Sequence, residues 1–178
     1  MNEVNIMKKI LCFALILSII FSLQACGFDT PTKESNTAGT SSSSKAEKET
    51  YGLNETAVFN NLKFTATEIK ESTGGSFLAP DDGNVYVGVK FTVENISDEE
   101  QAVSSVLLFD AYSGDAKCDY SISALTEFDG SSIDGSIAPG KKLEGWYGVE
   151  VPADWSEIEL DVKSDLLSSG TARFVFRK

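Results

Sequence analysis

From Asn84 to Asn95 apolar and polar residues alternate almost without a break. Val85, Val87, Val89, Phe91 and Val93 fall on one side of a two-residue repeat. Tyr86, Gly88, Lys90, Thr92 and Glu94 fall on the other. A strand sends successive side chains to opposite faces, so one face is an apolar row and the other is mostly wet. β-Branched and aromatic residues dominate, which suits a pleated, half-buried surface. The stretch is predicted as a central strand of an antiparallel sandwich.

The same alternation recurs downstream. In Lys142–Val151, Leu143, Gly145, Tyr147, Val149 and Val151 share one face, and Lys142, Glu144, Trp146 and Glu150 share the other. Ile158, Leu160 and Val162 alternate with charged residues, and Ala172, Phe174 and Phe176 point inward on a closing strand. Leu62, Phe64 and Ala66 alternate, but Ile69 is out of step by one, and a bulge near Thr67 restores the register. Shorter strands are predicted at Thr56–Phe59 and Val106–Tyr112. A return strand through Ala116, Cys118 and Tyr120 follows a tight turn at Ser113-Gly114-Asp115. Loops are predicted at Ser72–Gly83, Asn95–Glu100, Ala138–Gly140 and Pro152–Trp155. Residues 121–136 carry little pattern, and Leu125 and Phe128 are expected to cover an open end of the core. About seven to nine short strands without a helix predict a two-sheet β-sandwich.

The amino terminus follows a different logic. Met7-Lys8-Lys9 is a short positive region, and Ile10 to Leu23 follows without a charge. That run suits a secretory signal and falls short of the ~20 residues a membrane-spanning helix needs. It ends in Leu23-Gln24-Ala25-Cys26-Gly27, which resembles the lipobox of bacterial lipoproteins, although Gln24 is a less common occupant of its position. The resemblance implies cleavage after Ala25, diacylation of the Cys26 sulfur, and Cys26 as the mature amino terminus. Two or more acyl chains hold a protein on a membrane where one does not. Residues 28–50 are mostly Ser, Thr, Lys and Glu with almost nothing to bury. The expected organisation is a signal peptide over residues 1–25, a lipid-anchored disordered tether over 26–50, and a sandwich domain over 51–178. As a flexible coil the tether would span roughly 25–30 Å and stand the domain off the lipid.

Composition narrows the chemistry. The 178 residues include 27 acidic and 15 basic side chains, a net charge of −12. Nucleic acid is excluded as a partner, because its phosphates need Lys and Arg to neutralise them. There is no histidine, which removes Ser-His-Asp and Cys-His catalysis and the commonest zinc ligand. Of Cys12, Cys26 and Cys118, only Cys118 lies in the domain, so no disulfide forms within it. Cys118 is expected to be a buried, inert thiol. Gly135–Lys142 nearly spells a phosphate-binding loop, but Lys142 replaces the magnesium-holding Ser or Thr, and a strand follows where a helix should begin. The acidic loops Asp81-Asp82 and Asp98-Glu99-Glu100 lack the twelve-residue calcium pattern and are read as solvated. No metal and no cofactor is expected.

The stretch APDDGNVYVGVKFTVENISDEE, with the later Ala138-Pro139-Gly140 turn and the strand ending at Val151-Pro152, resembles a bacterial domain of unknown function found in surface lipoproteins. The resemblance covers roughly Tyr51 to Phe176. It implies an immunoglobulin-like antiparallel sandwich, similar to the mycobacterial immunoprotective extracellular protein. Its shared residues belong to turns and core, so it implies no catalytic residue.

These features predict a non-enzymatic, lipid-anchored binding or interaction module on the extracytoplasmic face of a cell membrane. It would touch the membrane through Cys26 and bind a protein or envelope partner. The alternatives are a structural spacer or assembly factor, or a cell-wall hydrolase working through two carboxylates. Tyr86 and Trp146 are the outward aromatics and are expected to form the binding surface, with Lys90, Glu94, Lys142 and Glu144 as a charged rim.

Overall fold

The computed structural model describes residues 31–34, 50–75, 78–165 and 170–178. The expected signal peptide, Cys26 and most of the expected tether lie outside the described residues.

The front sheet is built on β5 (Asn84–Asn95), flanked by β4 (Leu62–Ser72) and β10 (Lys142–Pro152). Beyond β4 lie β3 (Thr56–Val58) and then β1 (Thr32–Lys33), giving the order β1-β3-β4-β5-β10, antiparallel throughout. The back sheet has at its centre β11 (Glu157–Lys163), between β12 (Thr171–Arg177) and β7 (Phe109–Ser113). Its edges are β2 (Thr50–Tyr51), parallel to β12, and β8 (Ala116–Cys118). A small third pair joins β6 (Gln101–Val103) to β9 (Gly135–Ile137). The result is the expected immunoglobulin-like sandwich. It has twelve strands among the described residues, more than expected, because the edges are pieces of two or three residues with no periodicity to read.

Alternation placed the core. Val85, Val87, Val89, Phe91 and Val93 from β5 meet Ile158, Leu160, Val162, Ala172 and Phe174 from the back sheet, all nearly free of solvent. Aromatic edges lock the two sheets together: Phe91 meets Phe109 at 5.4 Å and Phe174 at 5.2 Å between ring centroids. Such contacts add to burial because the positive edge of one ring faces the negative face of the next. The bulge predicted near Thr67 is present, as the pairing of β4 with β5 slips between Ala66 and Glu68.

Three expectations need correction. Residues 105–108 form a single helical turn, α1 (Ser105–Leu108), where the alternation predicted the start of a strand. Asp134 holds that turn by accepting from the Ser105 amide at 2.7 Å and from its hydroxyl. The unpatterned stretch contains a second helix, α2 (Ile122–Glu127), whose N-cap Ser121 accepts from the Ala124 amide at 3.2 Å. Finally, Thr32 and Lys33, expected within the tether, pair with β3. Lys33 reaches Glu55 at 2.5 Å and Glu34 pairs with Lys63, so polar residues gain partners on an edge strand that needs no apolar row.

Candidate functional site

The expected surface lies on the outer face of the front sheet, where parity put it. Register pairs Tyr86 with Glu150 on β10, and Trp146 with Lys90 on β5, so the two aromatics share that face. Their expected exposure is not found. Tyr86 and Trp146 are each only 2% exposed, in a small second core with Ala124, Leu125 and Phe128. The Phe128 ring stacks on Trp146 at 5.3 Å with 27° between planes, and Lys70 Nζ lies 5.1 Å from the same indole. These residues therefore form structure, not a docking surface.

The cover fits because of two glycines. Gly88 and Gly148 are direct cross-strand partners on this outer face, between Tyr86 and Trp146. A Cβ at Gly88 would come within 2.7 Å of Phe128 Cε2, and one at Gly148 within 2.9 Å of Ala124 Cβ. The trough they leave receives α2 and Phe128. Outward glycines inside a strand mark close approach by another part of the chain. That signal was present in the sequence and points away from a wet face. Leu125 and Phe128 cover this face, not an open end of the core. Ser72 reinforces the cover by donating to Glu127 at 3.1 Å, and the Gly130 amide closes the helix end by donating to Leu125 O at 2.8 Å.

The expected charged rim survives as ion pairs. Lys142 faces Glu94 at 3.3 Å and Lys90 faces Glu144 at 3.7 Å, on the part of the sheet that α2 leaves open.

The other candidates resolve into structure. Asn95, fully buried, donates to Glu99 O at 2.7 Å and Ile137 O at 2.8 Å and accepts from the Ser97 amide at 2.9 Å. It pins the acidic turn that follows β5. At the other acidic loop, Glu150 accepts from the Asp81 amide at 2.8 Å and from Asn84 Nδ2 at 2.9 Å. The near phosphate loop is a turn: Lys141 N donates to Ala138 O at 3.0 Å, and Gly140 takes a φ of 68° that favours glycine. Among the described residues, no three acids or cysteines are grouped to hold a metal ion.

Cys118 is buried, and burial pushes its thiol above the ordinary cysteine range, away from the reactive thiolate. Asp110 is held below the usual carboxylate range, first by the hydrogen bond from Lys117 at 2.7 Å and then, against some desolvation, by Lys163 at 3.1 Å. Glu71 is lowered by the Lys178 ammonium at 2.7 Å and by the Trp155 indole N–H at 2.8 Å. One open cleft of about 620 Å³ lies between the β7–β8 hairpin, the start of α2 and the Asp81–Asn84 turn. Ile122, 72% exposed, stands on its wall. Carboxylates, a lysine and small hydroxyls share the lining, a mixture that can form polar contacts and has no nucleophile paired with a base.

The architecture is that of a two-sheet β-sandwich protein. The chain belongs to the family described as Domain of unknown function (DUF4352), matched over residues 51–173. This bears out the resemblance to a domain of unknown function; it does not extend to the mycobacterial protein. Among solved structures, a candidate lipoprotein, ycdA, from Bacillus subtilis superimposes with a TM-score of 0.56 at 16% identity. That match covers 66% of this chain and 37% of the Bacillus chain, so this protein spans little more than a third of that relative. The yjhA protein of Bacillus subtilis matches at a TM-score of 0.54 and 17% identity, over 71% of this chain and 98% of its own. A conserved hypothetical protein from Bacillus anthracis matches at 0.52 and 17%, over 73% and 99%. These likenesses concern the fold. No curated protein matches the sequence.

Proposed function

We propose that this protein is a non-enzymatic, lipid-anchored module that presents a β-sandwich on the extracytoplasmic face of the cell membrane for interaction with a protein or envelope partner. The observation that carries the reading is the Leu23–Cys26 lipobox, preceded by a charged and then apolar leader and followed by a domain of this family. The described chemistry supports the absence of catalysis. The one thiol of the domain is buried and hard to ionise, and the perturbed carboxylates Asp110, Glu71 and Glu55 are all lowered, each first by a lysine. A general acid at neutral pH needs the opposite shift. The 620 Å³ cleft beside Ile122 is the concave surface on which a partner contact can be sought.

The anchor is tested by feeding cells a radioactive fatty acid. The wild-type protein is expected to incorporate label, and Cys26→Ala to incorporate none and to appear in the medium or the soluble fraction. Equal labelling of the two would overturn the reading.

A further inference from the structure

β1 fixes where the anchor meets the domain. Thr32 pairs with Val58, which pairs with Lys63, then Glu94, then Lys142: a row across the whole front sheet. Beyond this row lie the turn from Phe59 to Leu62, Asn95 with Ile96 after it, and the Ala138–Lys141 turn. Because β1 runs antiparallel to β3, its first residue, Thr32, lies at this end of the sandwich. Five residues, 27–31, separate Cys26 from Thr32. Fully extended, that segment spans about 20 Å. The twelve residues of β5 run for about 40 Å. The anchor therefore reaches one end of the domain and not the far one.

The near end carries exposed apolar side chains. Ile96, directly after β5, is 40% exposed, and Leu107, on α1, is 55% exposed. The back sheet ends here too: Leu107, just before β7, and Ser164, just after β11, line one hollow with Gln101, whose side chain donates to Ser97 beside Asn95 at 3.1 Å. Leu107, Leu108 and Ala102 line an open hollow of about 550 Å³ there, with Ser164 and Asp165 at its margin. The open apolar wall of that hollow is a candidate contact surface, and here the nearest large apolar phase is the lipid that would hold Cys26. We infer that this end of the sandwich rests on the membrane, with Leu107 and Ile96 seated at the headgroup boundary, instead of standing off on a long tether. The inference rests on the proposed lipid anchor. The acidic turn Asp98–Glu100 shares the end and is repelled by anionic headgroups, so the contact fits a zwitterionic surface and is made by apolar atoms.

The test uses the lipidated full chain in phosphatidylcholine vesicles, in a Cys118→Ala background. A polarity-sensitive fluorophore is attached at Leu107→Cys or, as control, at Asp115→Cys in the exposed β7–β8 turn at the opposite end. A quencher fixed high on the acyl chains is expected to cause a large loss of emission at position 107 and little at 115. Adding Ile96→Asp should remove the loss at 107 while the protein still floats with the vesicles. Equal quenching at both positions, or none at either in floating protein, overturns the contact and leaves the anchor standing. Protein that does not float at all overturns the anchor itself.

Discussion

On the outer face of the back sheet, the outward residues of β11 and β12 pair across the strands. Asp161 and Arg173 are direct partners and bond twice, at 2.6 and 2.7 Å, while Glu159 takes the remaining guanidinium nitrogen at 2.5 Å. Arg177 meets Glu157 at 2.6 Å, and Asp110 stands between Lys117 and Lys163. This face is wet. On the outer face of the front sheet, the same alternation delivers Tyr86, Gly88, Trp146 and Gly148 into a dry layer beneath α2. Period two decides which face a side chain joins, and it is silent on whether that face meets water. Side-chain size decided the difference: two facing glycines admit a helix, and a ladder of long charged residues does not.

The sharpest way to break the comparison is to empty the dry layer. Trp146→Ala removes the side chain on which Phe128 stacks and leaves a cavity under α2. A loss of about 3–5 kcal/mol is expected, read as a lower urea midpoint. A shift within error would mean that the cover contributes no stability and that the face is functionally open.

Gly88→Val attacks the same layer from below, by filling the trough and driving the Phe128 ring away. Overpacking of this kind costs about 1–3 kcal/mol. Near-ultraviolet circular dichroism should show the Trp146–Phe128 stack disturbed while the strand signal persists. Wild-type spectra from Gly88→Val would deny the trough its role.

The wet face should respond less. Arg173→Met keeps the stem and removes the charge from a pair that is partly open to solvent. About 1 kcal/mol is expected at low salt, shrinking as salt is added. A larger, salt-independent loss would show that this face is packed as tightly as the front one.

Asp110 gives the smallest effect and a defined pH direction. Its folded-state pKa is lowered, first by Lys117, so its contribution is present above the unfolded carboxylate value of about 3.9 and fades as pH falls through the lower folded value. Asp110→Asn should therefore melt slightly below wild type at pH 7, by roughly a few tenths of a kcal/mol after solvent screening, and converge with it in strong acid. Divergence that grows on acidification would reverse the assigned shift.

Much of the fold was legible. The inward rows of β5, β10, β11 and β12 and the slip at Thr67 followed from alternation alone, because burying one face of a strand fixes its register. The two helices were not legible. Four- and six-residue helices are too short to show a 3.6-residue period, and such short pieces are marginal without packing. α1 hid inside an apolar run, Val106-Leu107-Leu108-Phe109, that reads equally well as strand. The burial of Tyr86 and Trp146 does not follow from alternation, which assigns a face and not its exposure; Gly88 and Gly148 on the same face are the local sign of close approach.

The sequence by itself determined the sandwich, its inward rows, and the resemblance of Leu23–Cys26 to a lipobox, because each depends on a pattern within a few residues of chain. It also determined that no histidine chemistry is available. Only the tertiary structure decided that α2 lies over the front sheet, that Thr32 and Lys33 extend its edge, and that Ile96 and Leu107 stand at the end of the sandwich where β1 begins. Those facts join residues far apart in sequence. What brings them together is the fit of one surface against another, and that fit has no period to read.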